Sequence, residues 1–555
     1  MLMQWSIRDS NLIAREKVML PMSLKSVTKN VIIRIGLPAI ALLVVAGIVC
    51  VPMFSVRPSI ASALNITSVT TDRGPTTGGT MITLHGDFAV QNFKVVQIGA
   101  GEHHICALGS NGQVYCWGPN FAGQLGDGST NQSDVPVAVD TSGVLAGKTL
   151  VKIGVGSEHV CALDSVGEVY CWGDNTYGQL GNGSSVAYSS TPVKVYSFGV
   201  LAGKTPVDIS SGTRHTCVID SGGKAYCWGE GQHGELGDGG TSDSSVPVAV
   251  VDSGALNGAV LTQIAPALYH TCALDSTHQL YCWGSNASGV FGDGSTTGSL
   301  TPVAISNIGD LTGKTISQIS ADYYNTCVID TAGKAYCWGE NWSGQLGNGS
   351  YGSSLTPVAV NTAGALFGKT LVQINVRENT TCAVDSDGRT YCWGDNYHGE
   401  IGDGSINDDS PFPVAIGAVG ALAGKNIVQV AVGSFTVCAV DFDGWVYCWG
   451  SALGNGSTDS RTPVAVHTVS NGTGSDLSDS GDYPFTVILD TNGTPAVCTG
   501  VAIASDGKSL TCTTSAHPAG VVGVTVDDSV NRFTLPNSFE YFDIKAPDTG
   551  YKHQD

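Results

Sequence analysis

The segment HHICALGSNGQVYCWGPNFAGQLGDG, residues 103–128, decides the fold, because variants of it recur down the chain. Its core, YCWG, returns with Trp117, Trp172, Trp228, Trp283, Trp338, Trp393 and Trp449, at steps of 55 or 56 residues. Each copy holds an apolar strand with a cysteine, a turn, the YCWG return strand and a glycine-punctuated loop. A Pro-Val strand start follows (Pro136, Pro192, Pro247, Pro302, Pro357, Pro413, Pro463), then an apolar run such as LVKIGVG at 150–156. That is four short strands per repeat, joined by turn chemistry. A four-stranded sheet cannot bury both faces alone, so such units stack, and seven arranged radially close a ring. The expected fold is all-β, a seven-bladed β-propeller over residues 92–470.

The cysteines share this period. They fall ten apart in every repeat, at 106/116, 161/171, 217/227, 272/282, 327/337, 382/392 and 438/448. The hairpin between them carries a glycine at 112, 167, 223, 333, 388 and 444, suited to a positive φ, while the fourth repeat has His278 there. The spacing predicts Cys106–Cys116, Cys161–Cys171, Cys217–Cys227, Cys272–Cys282, Cys327–Cys337, Cys382–Cys392 and Cys438–Cys448 as cross-strand disulfides. Zinc needs cysteines that converge on one ion, and these pairs are spread one per blade.

An oxidising compartment fits the N-terminus. Ile35 to Val56 run 22 residues without a charge, preceded by Lys25, Lys29 and Arg34. Residues 1–34 are expected in the cytoplasm and 35–56 as a single-pass membrane anchor with an extracellular body. The alternative is a signal cleaved near Ala63 and a secreted chain. Beyond residue 57 the chain holds 19 basic and 45 acidic residues, a net charge of −26. That sign argues against nucleic acid as a partner. The 73 glycines and only 6 methionines suit turn-rich β structure.

The repeat resembles the regulator-of-chromosome-condensation family, whose seven-bladed propellers carry a comparable pattern. Blade three reads HTCVIDSGGKAYCWGEGQHGELGDG (215–239), and blade seven shortens the loop after Trp449-Gly450. The flanking segments, 64–91 and 482–543, each resemble part of an IPT/TIG domain, an immunoglobulin-like β-sandwich. The first part holds GPTTGGTMITLHGDF (74–88), and the second ends on Phe539 and Tyr541. Neither part has strands enough alone. One sandwich interrupted by the whole propeller is therefore expected, with Cys498 and Cys512 paired inside it and a disordered tail at 544–555.

Motifs for chemistry are missing. Gly-Lys-Thr at 147–149, 203–205, 313–315 and 368–370 has its preceding glycine one residue too near for a phosphate loop. His104, His159, His215 and His270 hold one repeat position, which Asn325, Thr380 and Thr436 take in later blades, so a hydrogen-bonding role inside each blade is expected. No nucleophile–base set, metal set or cofactor motif emerges, and no enzyme activity or cofactor is expected.

The positions that differ between strict repeats point to a binding surface. Before each first cysteine and after each Trp-Gly lie Glu102, Arg214, Tyr269, Tyr323, Tyr324, Trp342, Arg377 and Phe435, the candidate partner-binding residues. The expected function is an exported, surface-displayed scaffold that binds a protein or glycan without catalysis. The resemblances imply two alternatives: a polysaccharide-acting cell-wall enzyme, since IPT/TIG modules accompany such enzymes, and a guanyl-nucleotide exchange regulator.

Overall fold

The computed structural model describes residues 94–406, 408–416 and 420–466 with their side chains, and strands within 65–87 and 486–542 as backbone. The N-terminal segment 1–34, the span 35–56, the cleavage site, the Cys498–Cys512 pairing and the tail 544–555 lie outside the described residues. Among those described, no helix is long and apolar enough to cross a membrane.

Seven antiparallel four-stranded sheets form the propeller, each built from consecutive strands. Blade one comprises Val95–Ala100, Ile105–Gly109, Val114–Gly118 and Ser133–Ala138. Blade seven comprises Ile427–Val432, Thr436–Asp441, Val446–Ser451 and Asp459–Ala465, so its shortened loop leaves four strands intact. Among the described residues, no strand crosses from one end of the ring into the other. The first strand of every blade lines a central cavity of about 310 Å³. The second strand is buried along its whole length, as in His159–Asp164 and Thr436–Asp441, which explains its unbroken apolar text.

All seven predicted disulfides are present, each joining directly opposed residues of the second and third strands with Cα atoms 4.0–4.1 Å apart. The hairpin between them needs a left-handed residue: Gly223 has φ 74°, and His278 adopts 68° in the blade without glycine. The His278 ring compensates by donating Nδ1–H to the Ile316 carbonyl at 2.8 Å.

The hydrophobic core lies between blades. Cys272, Leu274, Leu280, Cys282 and Phe291 of blade four pack on Ile316, Ile319, Val328 and Trp338 of blade five. Every repeat tryptophan is at most 1% exposed and donates its indole N–H to the preceding blade's glycine-rich loop. Trp283 reaches the Glu235 carbonyl at 2.9 Å, and Trp117 closes the ring on Ala452 at 3.1 Å. The last glycine of each Gly-x-Leu-Gly-type turn lies against this indole: a Cβ on Gly237 would sit 2.6 Å from Trp283 Nε1.

Polar side chains add a second seam. Gln373 donates Nε2–H to the Val430 carbonyl and accepts the Val430 N–H, at 2.8 and 2.7 Å. Gln429 makes the same pair of bonds to Ile98, both at 3.0 Å, across the closure. Between blades two and three, Lys152 and Asp208 hold these positions and form an ion pair.

The expectation for the histidines needs correcting, because the ring hydrogen bonds of His159, His215 and His270 cross between blades. His159 Nε2 meets Thr216 Oγ1 at 2.8 Å, and His215 Nε2 meets Thr271 Oγ1 at 2.7 Å. The lysines of the Gly-Lys-Thr motifs are drawn to aspartates: Lys148 to Asp164 and Lys369 to Asp385 at 3.2 and 3.3 Å.

Strands from both sides of the propeller pair with each other. Met81–Asp87 lies between Asn65–Thr70 and Ser509–Thr513. Arg73–Pro75 runs parallel to Arg532–Phe542, in a five-stranded sheet completed by Gly520–Asp527, Thr486–Asp490 and Ala496–Val497.

Candidate interaction face

Alternating strand direction puts the first-to-second and third-to-fourth connections on one face of the ring, and the cystine hairpins on the other. Backbone bonds tie the two loop sets together, as where Asp174 N–H donates to the Glu158 carbonyl at 2.8 Å. Because first strands start and fourth strands finish on the hairpin side, the chain enters and leaves the propeller there.

Aromatic rings gather on that face in two arcs. In blades six, seven and one, Tyr397 meets His398 at 5.0 Å, His398 meets Phe435 at 4.6 Å, and His103 stacks on Phe435 at 5.3 Å. In blades two to five, the Arg214 guanidinium lies 5.0 Å over the Tyr177 ring. His233 then meets Tyr269 at 4.4 Å, and Tyr269 faces Tyr324 at 6.4 Å. His233, Tyr269, Tyr323 and Tyr324 border a cavity of about 280 Å³. Trp342 and Phe121 stand 77% and 79% exposed.

Carboxylates sit among these rings. Glu102, Glu158, Asp174, Glu230 and Glu340 share the face. Burial pushes Glu158 up, helped by Asp174 and Glu102. Burial likewise holds Glu230 above its usual range against the pull of Arg214, whose Nη1 is 3.6 Å from Glu230 Oε1. Glu235 and Glu400, buried in equivalent loops, are both pushed up to about 7. On the opposite face, by contrast, Lys148, Lys204 and Lys425 are spent on hairpin aspartates.

The candidates therefore separate. Glu102, Arg214, Tyr269, Tyr323, Tyr324, Trp342 and Phe435 all lie on the loop face, from partly buried to fully open. Arg377 is a correction: it is 6% exposed and is no surface anchor. Its side chain turns inward and bridges blades, donating Nη1–H to the Ala100 carbonyl at 2.8 Å and Nη2–H to Ser157 Oγ at 3.0 Å. Asp322 lies 4.0 Å from its Nε. The two-residue turns beside this bridge place Tyr323 and Glu378 at φ 37° and 46°, a strained region for non-glycine residues. The Asp322 carboxylate steadies the second turn by accepting the Glu378 N–H at 3.0 Å. Sequence reasoning missed the inter-blade glutamines and the buried Glu230 and Glu235. The signal for Glu235 is the change from Gly-Gln-Leu-Gly to Gly-Glu-Leu-Gly in blade three.

Residues 75–369 match the RCC1-like domain, and residues 387–440 match the Regulator of chromosome condensation (RCC1) repeat. The chain is 32% identical over 384 residues to the Ultraviolet-B receptor UVR8 of Arabidopsis thaliana, covering 68% of this chain and 82% of that one. It is 30% identical over 349 residues to the human E3 ubiquitin-protein ligase HERC2, covering 62% of this chain but only 7% of HERC2. Among solved structures, human WBSCR16 superposes with a TM-score of 0.56 at 17% identity, over 73% of this chain and 99% of that one. Prp20p from Saccharomyces cerevisiae gives 0.55 at 19%, over 77% and 94%. At those identities the structural likeness speaks for the fold alone.

Proposed function

Since the chain belongs to the RCC1-repeat family, we propose that it is a non-catalytic scaffold that binds a protein partner through the loop face of its propeller. The observation that carries this reading is the juxtaposition of exposed aromatics and carboxylates on the loop face of the propeller. Such a surface suits a partner presenting lysine or arginine among apolar side chains: the rings accept cations over their faces, and the carboxylates steer and pair them. Prp20p is described as binding Gsp1p and histones, which supports protein recognition as a use of this fold.

The scaffold is exported and displayed at the cell surface, anchored by residues 35–56 or released by cleavage near Ala63. Seven disulfides support an oxidising compartment, in which such bonds persist. The flanking segments make one IPT/TIG-like domain that carries the propeller as an insertion, a reading supported by the pairing of Met81–Asp87 with Ser509–Thr513.

Photo-crosslinking amino acids at Phe121, Trp342 and Tyr397, compared with Val166 and Phe442 on the hairpin face, test the proposal on intact cells. The expected result is protein adducts from the first three positions only, weakened by salt. Adducts from the hairpin face alone, or capture of glycan instead of protein, would overturn it.

A further inference from the structure

The repeats supply their own control for one loop. Blades one, two and five carry Gln124, Gln179 and Gln345 in the glycine-rich turn. Each accepts, through Oε1, the N–H two residues earlier, at 2.9, 2.8 and 3.0 Å. The amide then has protons to give: Gln179 Nε2 donates to Asp174 Oδ2 at 2.6 Å, and Gln345 Nε2 to Asn379 Oδ1 at 3.0 Å. Blade three keeps the first bond, with Glu235 Oε2 accepting the His233 N–H at 2.7 Å. Its second oxygen has nothing to donate, and the residue in the place of Asp174 is Glu230. An amide–carboxylate contact has become two carboxylates.

Both are buried, Glu230 at 3% and Glu235 at 0% exposure. Glu235 Oε1 and Glu230 Oε2 have no hydrogen-bond partner among the described residues. Arg214 faces only the other oxygen of Glu230. His233, on the exposed side, points Nδ1 toward Glu235 Oε1 at 3.9 Å. One ligand atom from each of Glu230, His233 and Glu235 lies within 4.8 Å of the others. Asp243 adds a further carboxylate beside the pair and accepts the Gly231 N–H at 3.0 Å.

We propose that Glu230, His233 and Glu235 bind a divalent transition metal, with zinc as the representative ion. Two carboxylate oxygens and one imidazole nitrogen are zinc's ordinary ligands at about 2.0–2.2 Å, and a three-ligand set leaves a fourth position open. The imidazole disfavours magnesium or calcium, which take oxygen. His233 is the ligand with room to move, so contraction onto the ion falls mainly on its side chain. His233 also borders the aromatic cavity that it shares with Tyr269.

The test uses the full chain, stripped with chelator and titrated with zinc chloride, with bound metal counted after equilibrium dialysis. Wild type is expected to hold one zinc per chain at micromolar free metal. E235Q installs the residue that three sister blades already carry, so it folds, and it is expected to lose that zinc. E400Q makes the same change in blade six and is expected to keep it. Absence of zinc from wild type, full retention by E235Q, or loss in E400Q alone would each overturn the assignment.

Discussion

Replacing His215 with asparagine should make the propeller less sensitive to acid, and the size of the change follows from burial. The ring is fully buried, and burial first, then His270 and His159, lowers its pKa from 6.5 to about 3. Below pH 6.5 the unfolded chain takes up a proton that the folded chain refuses. Stability is therefore full above 6.5 and is lost as pH falls toward 3, at about 1.4 kcal/mol per pH unit. By pH 5 this one ring costs about 2 kcal/mol. H215N installs the residue that blade five uses at Asn325 and removes the titration. It also removes the bond to Thr271, worth about 1 kcal/mol. The variant should thus be less stable than wild type by about 1 kcal/mol at pH 7.5 and more stable by about 1 kcal/mol at pH 5. Urea unfolding under non-reducing conditions at both pH values measures this crossover. Glu235 and Glu400, whose raised values act in the opposite sense, are common to both proteins and cancel in the comparison. A stability difference that stays constant from pH 7.5 to 5 would refute the claim that a buried neutral imidazole carries acid lability.

G237A combines φ +70° with a Cβ 2.6 Å from the Trp283 indole, and should cost about 2–5 kcal/mol in denaturant unfolding. G258A, at φ +81° with nothing within 4 Å, should cost only about 1–2 kcal/mol. Q373L strands the Val430 N–H and carbonyl, so hydrogen exchange at the Val430 amide should accelerate and stability should fall by about 2–4 kcal/mol. Removing the Cys272–Cys282 bond with paired alanines should cost about 3 kcal/mol by loop entropy, read from the urea midpoint with the other cystines intact. Thiol labelling of the denatured, unreduced chain should leave every propeller cysteine unmodified.

The propeller was legible because one stretch of text is repeated in phase, and stacking is the only way such small sheets bury both faces. The cystines were legible for a related reason: a ten-residue offset across a tight turn brings the pair face to face, as in Cys217 opposite Cys227. Inter-blade chemistry was much harder to read. Gln373 sits on a strand whose text gives no hint that its partner lies 57 residues away, and in two blades Lys152 and Asp208 disguise the position. Arg377 was misread because it ends a first strand, and first strands line the central cavity, where a long cation bridges blades instead of meeting solvent. The carboxylate pair in blade three escaped notice because a Gln-to-Glu change looks conservative until the lost amide protons are traced to Asp174.

The uncrossed closure has a consequence for how such a ring can vary. Every blade is one contiguous stretch of chain, and the seam between blades seven and one uses the same indole and glutamine bonds as the others. A genetic duplication or deletion of one 55- or 56-residue unit therefore yields whole blades and never a half-finished sheet. Circular permutation is open to the chain on the same grounds. Under tension from its two ends, the ring should part at that one seam, blade from blade, before any sheet is pulled apart.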